Sequence, residues 1–437
     1  MSTKSVGQNI LPAPAARRGG DFVFVSSLYP VDDSGAVVEA DSISPLLGES
    51  MMAAQTRRVL TLLKGILDAN ASSLANTLRV EVYMVDAADF YEFKLVWMEF
   101  FPNDPPARTT VVVGDMHAIP GCLLNLNAVA LANDASVERK VINAEGIPQS
   151  MDAEHAPHAV AAAPYVFPSA FPATDFETGV PVGKKENFPA YGSDGEMQAH
   201  YLLQNLSKVL EAAGTSIDQC VKTQFYETDF LNFHDIDAVW ASYVGLPPDG
   251  LPPCRSSMGA RGFLYPGAIF AHNSMFLIPD DKHQKVETQE GIRWHPEQVR
   301  SVHYTPGMWT GDWLHMAGQI PLPDYGVWES IVRTPVGAPH NWRDFEVQTD
   351  FTMKLLNEQL TGNGLRLADI IDARIFLVDT AKRDYRGFVR AWERLFADVD
   401  PKPSMSLIPS TTEDGGTGIM IPTMLIEIDL IAKKGGQ

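Results

Sequence analysis

Two arginines in this 437-residue chain arrive by the same route. "PPARTTVVV" (105–113) and "PPCRSSMG" (252–259) each use a proline pair to deliver an arginine, Arg108 or Arg255, to the head of a β-prone segment. A guanidinium there can lay its stem over apolar surface and make bidentate, charge-assisted bonds to a carboxylate. The alternative is a structural ion pair with one of the chain's many acidic residues. Glu427 offers complementary chemistry. It lies inside the apolar run "MLIEIDLIA" (424–432), a setting that raises a carboxyl pKa towards the range useful for proton transfer. Asp429 shares its strand face, and the competing picture is a pair of carboxylates pointing at solvent or at an arginine. Tyr304, in "VHYTPG", reads either as a packed aromatic with a wet hydroxyl or as part of a pocket.

Other chemistries find little support. HExxH, GxSxG, Walker A and GxGxxG are absent. The close histidines His155 and His158 in "EHAPH" are separated by Pro157, which disfavours the helix that would align them on a metal, and "EDGGTG" (413–418) runs into a strand-like segment, as a turn does. Three cysteines, Cys122, Cys220 and Cys254, form no CxxC spacing and read as reduced thiols. The balance of 34 Lys+Arg against 54 Asp+Glu, net −20, leaves no basic footprint for nucleic acid. With 45% hydrophobic residues, no run of membrane-span length and no apolar leader in "MSTKSVGQNILPAPAARRGG", the expectation is a soluble, cytoplasmic protein without a membrane partner.

The elements that must position these residues occur three times. "QTRRVLTLLKGILDANASSL" (from Gln55), "QAHYLLQNLSKVLEAAGTSI" (from Gln198) and "QTDFTMKLLNEQLTGNGLRL" (from Gln348) align without a gap over twenty residues. Leu63, Leu206 and Leu356 coincide, and so do Leu67, Leu210 and Leu360; the apolar spacing is helical, and Gly214 and Gly364 suit left-handed C-caps. A strand with an acidic turn follows each helix, then a second helix carrying Trp97, Trp240 or Trp392, then a proline-delivered segment and a closing strand. Strand material precedes each first helix, so every unit reads β-β-α-β-α-β-β.

The starts lie 143 and 150 residues apart, a domain length and not a solenoid period. The fold class is therefore α+β, with domains at about 1–147, 148–285 and 286–437. The connecting stretches "LANDASVERKVINAEGIPQSMDAE" and "IPDDKHQKVETQEG" read as polar linkers. A sheet whose helices cover one face needs a partner for the other, and three such sheets can supply it to one another around a pseudo-threefold axis, sheets inside and helices outside. Clefts between neighbours are then the natural ligand sites.

The order of Gln-led helix, strand with Asp turn, aromatic helix, proline-delivered arginine and acidic final strand resembles the RidA/YjgF/YER057c/UK114 family of reactive-intermediate deaminases, once per repeat over nearly the whole chain. The resemblance implies a RidA-like, chorismate-mutase-like homotrimer fused into one polypeptide. It further implies cofactor- and metal-independent hydrolysis of enamines or imines to ketoacids and ammonia in an interface cleft. Carried over residue by residue, Glu427 and Tyr304 take the catalytic positions, with Asn125 and Ala271 where the other repeats would hold the acid. Arg108, Arg255, Asn125, Asn273, Gly318 and Gln319 take substrate-binding positions, and Ser404 stands where the third arginine would be.

The resulting expectation is a C–N hydrolase acting on a small anionic nitrogen compound, with arginine holding the anion and a carboxylate activating water. A ring-opening amidohydrolase, a tautomerase or lyase on the same scaffold, and a non-catalytic binder of small carboxylates remain open from the residues, as does further homo-oligomerisation.

Overall fold

The computed structural model describes residues 11–40, 48–114, 116, 119–147, 155–170, 173–174, 192–247, 250–291, 303–322, 344–378, 385–412, 418–419, 421 and 424–436. Most of the glycine-rich stretch 413–418 lies outside them.

The first repeat runs β1 (Ala16–Gly19), β2 (Phe22–Leu28), α1 (Met51–Ala69), β3 (Thr77–Met84), α2 (Phe90–Phe100), β4 (Ala107–Val112), β5 (Leu124–Leu131). The second adds β6 (Lys140–Ile142) before β7 (Ala159–Ala162), β8 (Tyr165–Pro168), α3 (Asp194–Ala212), β9 (Cys220–Glu227), α4 (Phe233–Val244), β10 (Cys254–Gly259) and β11 (Phe270–Leu277). The third adds β12 (Lys285–Thr288) before β13 (Gly307–Thr310), β14 (Trp313–Met316), α5 (Asp344–Gly362), β15 (Ile370–Val378), α6 (Arg386–Leu395), β16 (Ser404–Ser410) and β17 (Ile426–Lys433). The β-β-α-β-α-β-β order holds in each repeat. The stretches read as linkers differ from expectation: they contribute β6 and β12, which pair antiparallel with β7 and β13 as sheet edges. Both are short and only partly buried, so neither carries the apolar alternation by which a strand is recognised in sequence.

Each sheet has the same core order, β1-β2-β5-β3-β4, β7-β8-β11-β9-β10 and β13-β14-β17-β15-β16, with the last pair parallel and the rest antiparallel. Trp97, Trp240 and Trp392 are fully buried at matching places on α2, α4 and α6. The first helices end alike, with Ala71, Gly214 and Gly364 at φ 52°, 81° and 74°. The leading glutamines have a mechanical role. Gln55 donates to Gly121 O (2.7 Å) and accepts from Leu123 N (2.8 Å); Gln198 does the same with Gly267 O (2.8 Å) and Ile269 N (2.9 Å), and Gln348 accepts from Leu425 N (2.8 Å). Each side-chain amide thus satisfies backbone groups just before the final strand and fixes where that strand begins.

The inner faces of the sheets meet at a polar axis. Arg374 binds Glu81 and, at 2.9 Å, Gln224; Gln224 donates to Asp429 (3.2 Å), and Asn273 donates to Glu81 (2.8 Å) and Gln224 (2.9 Å). Tyr83 and Tyr226 hydroxyls touch at 2.9 Å in the next layer. Burial alone would raise the Glu81 carboxyl, but Arg374 and Arg79 outweigh it and hold it at about 2.

Candidate functional site

Three seams join the repeats, each between the edge strand of one sheet and the end of the second strand of the next. Arg108 N donates to Ser169 Oγ and Arg108 O accepts from Ala170 N, both 3.0 Å. Arg255 O accepts from Gly318 N at 3.0 Å. Met405 N donates to Ser26 Oγ and Leu407 N to Ser27 Oγ, both 2.9 Å. The edge strands have unpaired backbone groups, and these seams are where those groups find partners.

Strand register fixes which residues are equivalent. Arg108, Arg255 and Met405 pair with Val80, Thr223 and Ala373 at one position of the three parallel ladders. This corrects the expectation for Ser404, which pairs one step earlier with Asp372, level with Ala107 and Cys254. Ser404 Oγ hydrogen-bonds Asp372 Oδ1 (2.7 Å) and Ile371 O (3.0 Å), so it serves the sheet. Asn125, Ala271 and Glu427 do share one position, opposite Tyr83, Tyr226 and Phe376.

The seam between the second and third repeats joins what no single repeat contains. Arg255 and Ser256 come from β10, Gly318, Gln319 and Glu427 from the third repeat. The Glu427 carboxyl lies directly against Gly318: a Cβ built there would stand only 1.7 Å from Glu427 Oε1 and 2.6 Å from Ser256 Oγ. Gln319 exchanges backbone bonds with Ile428 (2.8 and 3.0 Å), which holds Gly318 beneath the acid, while its side-chain amide turns to Ile320 O (2.7 Å). Ser256 Oγ also donates to Asp429 (2.9 Å), whose other oxygen is 2.9 Å from Lys222 Nζ. Burial first, and the charge of Asp429 second, push the Glu427 carboxyl well above its usual range; Ser256, Lys222 and Arg255 only moderate this. Such a group holds its proton to higher pH than an ordinary glutamate, which suits it to give a proton and then take one back. Tyr304 is half-buried beside this seam, against the apolar cluster that includes Cys254.

Arg255 itself turns to the helix side of its strand. Its guanidinium lies over Phe225 (4.9 Å) and Phe233 (5.1 Å), and NH1 is bound by Asp237 of α4. Asp237 also accepts from His303 Nδ1 of the third repeat at 2.8 Å, so one carboxylate ties together the two sides of the cleft. Close by, Glu227 at the end of β9 is fully buried with both carboxyl oxygens lacking a hydrogen bond, and burial raises it to about 8. Sequence reading missed Ser256, Asp237, His303 and Glu227. For Glu227 a signal existed, because its register equivalents are the apolar Met84 and Leu377.

The other two seams are poorer. Between the first and second repeats Arg108 is buried in an aromatic cage on α2, over Phe90 (5.1 Å), Phe93 (5.6 Å) and Trp97 (5.1 Å), with Ala271 at the acid position. Between the third and first, Asn125 Nδ2 reaches Met116 Sδ (3.2 Å) and Leu407 O (3.5 Å), and Leu11, Tyr29, Met116 and Cys122 share one apolar cluster with Leu407. Asn273 is not at a cleft, contrary to expectation. Two residues beyond Ala271, it sits on the same inward face but at the axis, with Glu81 and Gln224 taking both its N–H groups.

His155 and His158 do not converge: His155 Nε2 meets Phe101 O (2.7 Å) and His158 Nδ1 accepts from Ala144 N (3.0 Å). Among the described residues no cluster of His, Cys, Asp or Glu could hold a metal, and no helix is long and apolar enough to cross a membrane. The three cysteines are free and buried.

Known proteins resemble stretches of this chain. A RutC family protein of Pyrococcus horikoshii is 31% identical over 129 residues, 29% of this chain and 93% of the relative; the 3-aminoacrylate deaminase RutC of Acinetobacter baylyi is 32% identical over 121 residues, 28% and 87%. A solved chorismatase aligns with 82% of this chain and 93% of its own at 12% identity and a TM-score of 0.47. The family model described as Endoribonuclease L-PSP matches three times, at 14–132, 157–268 and 297–434. With three successive copies spanning most of its length, the chain belongs to that family, the RidA/YjgF group, as a tandem triple repeat.

Proposed function

We propose that the protein hydrolyses a C–N bond of a small imine or enamine carboxylate in the cleft between its second and third repeats. One observation carries this: Arg255 and Ser256 of one repeat meet Gly318 and Glu427 of the next, whereas the equivalent acid position is Ala271 in one of the other clefts and Asn125 in the remaining one. The deaminase named among the relatives acts on a compound of this class, 3-aminoacrylate.

The chemistry follows from burial, which lets Glu427 keep its proton to higher pH than an ordinary glutamate. Neutral Glu427 donates its proton to the enamine carbon or imine nitrogen, and the resulting carboxylate accepts a proton from the water that adds to the C=N carbon. Collapse of the carbinolamine expels ammonia and leaves the carbonyl, with Glu427 giving its proton to the departing nitrogen and regaining one from the carbinol hydroxyl. Water is the only co-reactant. Arg255 orients the substrate carboxylate, and the half-buried Tyr304 borders the reacting carbon.

The test is ammonia release from imines generated in situ from amino acids by an amino-acid oxidase, with the parent chain and Glu427→Gln in parallel. Acceleration by the parent and its loss in the variant are expected. Binding of small carboxylates without any acceleration would instead identify a recognition protein.

A further inference from the structure

Glu227 is a buried carboxyl both of whose oxygens lack a hydrogen bond. A buried carboxyl without a single hydrogen bond gives up its hydration with nothing in return, and such a group calls for a partner that the folded chain does not itself supply. The position is apolar in the other two repeats, Met84 and Leu377. The carboxyl therefore occurs at this position only in the repeat whose edge strand, through Arg255 O, meets Gly318 of the Glu427 seam.

Its surroundings indicate what partner would suit. Arg255 is the cation beside it, yet Asp237 already binds Arg255 NH1 and also takes His303 Nδ1. Asp229 adds a third carboxyl nearby, although it is committed to capping Leu231 N at 2.8 Å. Three carboxyl groups thus surround one guanidinium and one imidazole. A bare anion would meet a cation already largely compensated, while a ligand that brings N–H donors of its own would satisfy Glu227 and leave Arg255 a carboxylate to orient.

We propose that Glu227 forms an amine subsite of the second–third cleft, so that its ligand is amphoteric: a carboxylate towards Arg255 and an ammonium, amidine or amide N–H towards Glu227. His303, which Asp237 binds together with Arg255, and Tyr304 beside it are both half-buried. The subsite rests on the cleft being the working site, but not on any particular reaction there.

Titration calorimetry tests it with unreactive probes: the amino acids from β-alanine to 6-aminohexanoate, each against the unsubstituted acid of the same length. At least one amino acid should bind about tenfold tighter than its partner acid, or better. Glu227→Met, which copies the first repeat, should bring that amino acid down to the affinity of the plain acid while the melting temperature holds or rises, and the near-isosteric Glu227→Gln should weaken the same preference. Equal affinities in the parent chain, binding of neither series, or a preference that survives Glu227→Met would each overturn the proposal. Ammonia release from imines is a separate readout. Its absence with the preference intact removes only the deaminase, and its presence without the preference removes only the subsite.

Discussion

The seam between the second and third repeats and the seam between the third and first are built from the same strands in the same register, yet they hold opposite chemistry. One carries Arg255, Gly318 and a carboxyl whose pKa burial has raised; the other carries Met405, Ser27 and Asn125 at those positions, packed among Leu11, Tyr29 and Met116. In a symmetric trimer any substitution appears at all three interfaces at once, so an apolar cleft would abolish all three sites. Fusion removes that constraint. One seam can be filled for stability while another keeps a buried acid and pays its desolvation. The axis displays the same freedom, since Glu81, Gln224 and Arg374 occupy one layer and no single repeat could supply all three to copies of itself.

The difference between the clefts can be broken experimentally. The largest effect is expected from Glu427→Gln, which should lower turnover by about 10²–10⁴-fold, while Asn125→Ala in the filled seam changes turnover by no more than about twofold. Comparable losses in both, by ammonia release, would mean that the seams are not functionally distinct. Arg255→Lys should weaken carboxylate binding by about 2–5 kcal/mol, because a point ammonium cannot replace the fork held between Asp237 and the ligand. Arg108→Lys should leave calorimetric affinity unchanged.

Gly318→Ala comes next. The added Cβ must displace the Glu427 carboxyl, and a shift of that size costs about 10²-fold in rate; Ser27→Ala at the equivalent place has no acid to displace. Equal rates for parent and Gly318→Ala would show that Glu427 need not sit where it does.

A subtler contrast is in pH. Glu227 is raised to about 8 in the folded chain, from an ordinary glutamate value near 4.5. Between those values the folded state holds a proton that the unfolded state has lost, so stability from this group is full below the lower value and declines as pH rises towards the upper. Urea unfolding at pH 5 and pH 8 should show a smaller loss for Glu227→Gln than for the parent; identical slopes would mean Glu227 does not titrate in this window. The smallest effect belongs to Arg108→Lys, whose aromatic cage is worth about 0.5–2 kcal/mol per contact, seen as a lower unfolding midpoint with unaltered binding.

Much of this was legible in the sequence because it is local. The three helices, their tryptophan-bearing partners and the strand order follow from apolar periodicity and repeat length, and the acid position aligned correctly because the final strands are apolar and close to one length. The third arginine position was misread by one residue: the prolines of "PKPS" and "PPAR" superpose in either register, Pro401 on Pro105 or Pro403 on Pro106, and only strand pairing selects the second, which matches Met405 to Arg108. Strand side chains alternate, so a one-residue slip exchanges a seam-facing residue for one facing the other way. Asn273 was placed at a cleft for a related reason. Period two assigns it the correct face, but says nothing of its depth along the strand.

What the sequence by itself determined is the triple α+β repeat and the inventory of candidate groups, since both are written in short-range spacing. Only the tertiary structure decided which groups meet. Arg255 and Glu427 lie 172 positions apart in different repeats, and they share a cleft because an edge strand must complete its backbone bonding on its neighbour. Closing three sheets on one another selects that neighbour, and the same closure buries Glu227 beside a guanidinium already engaged by Asp237.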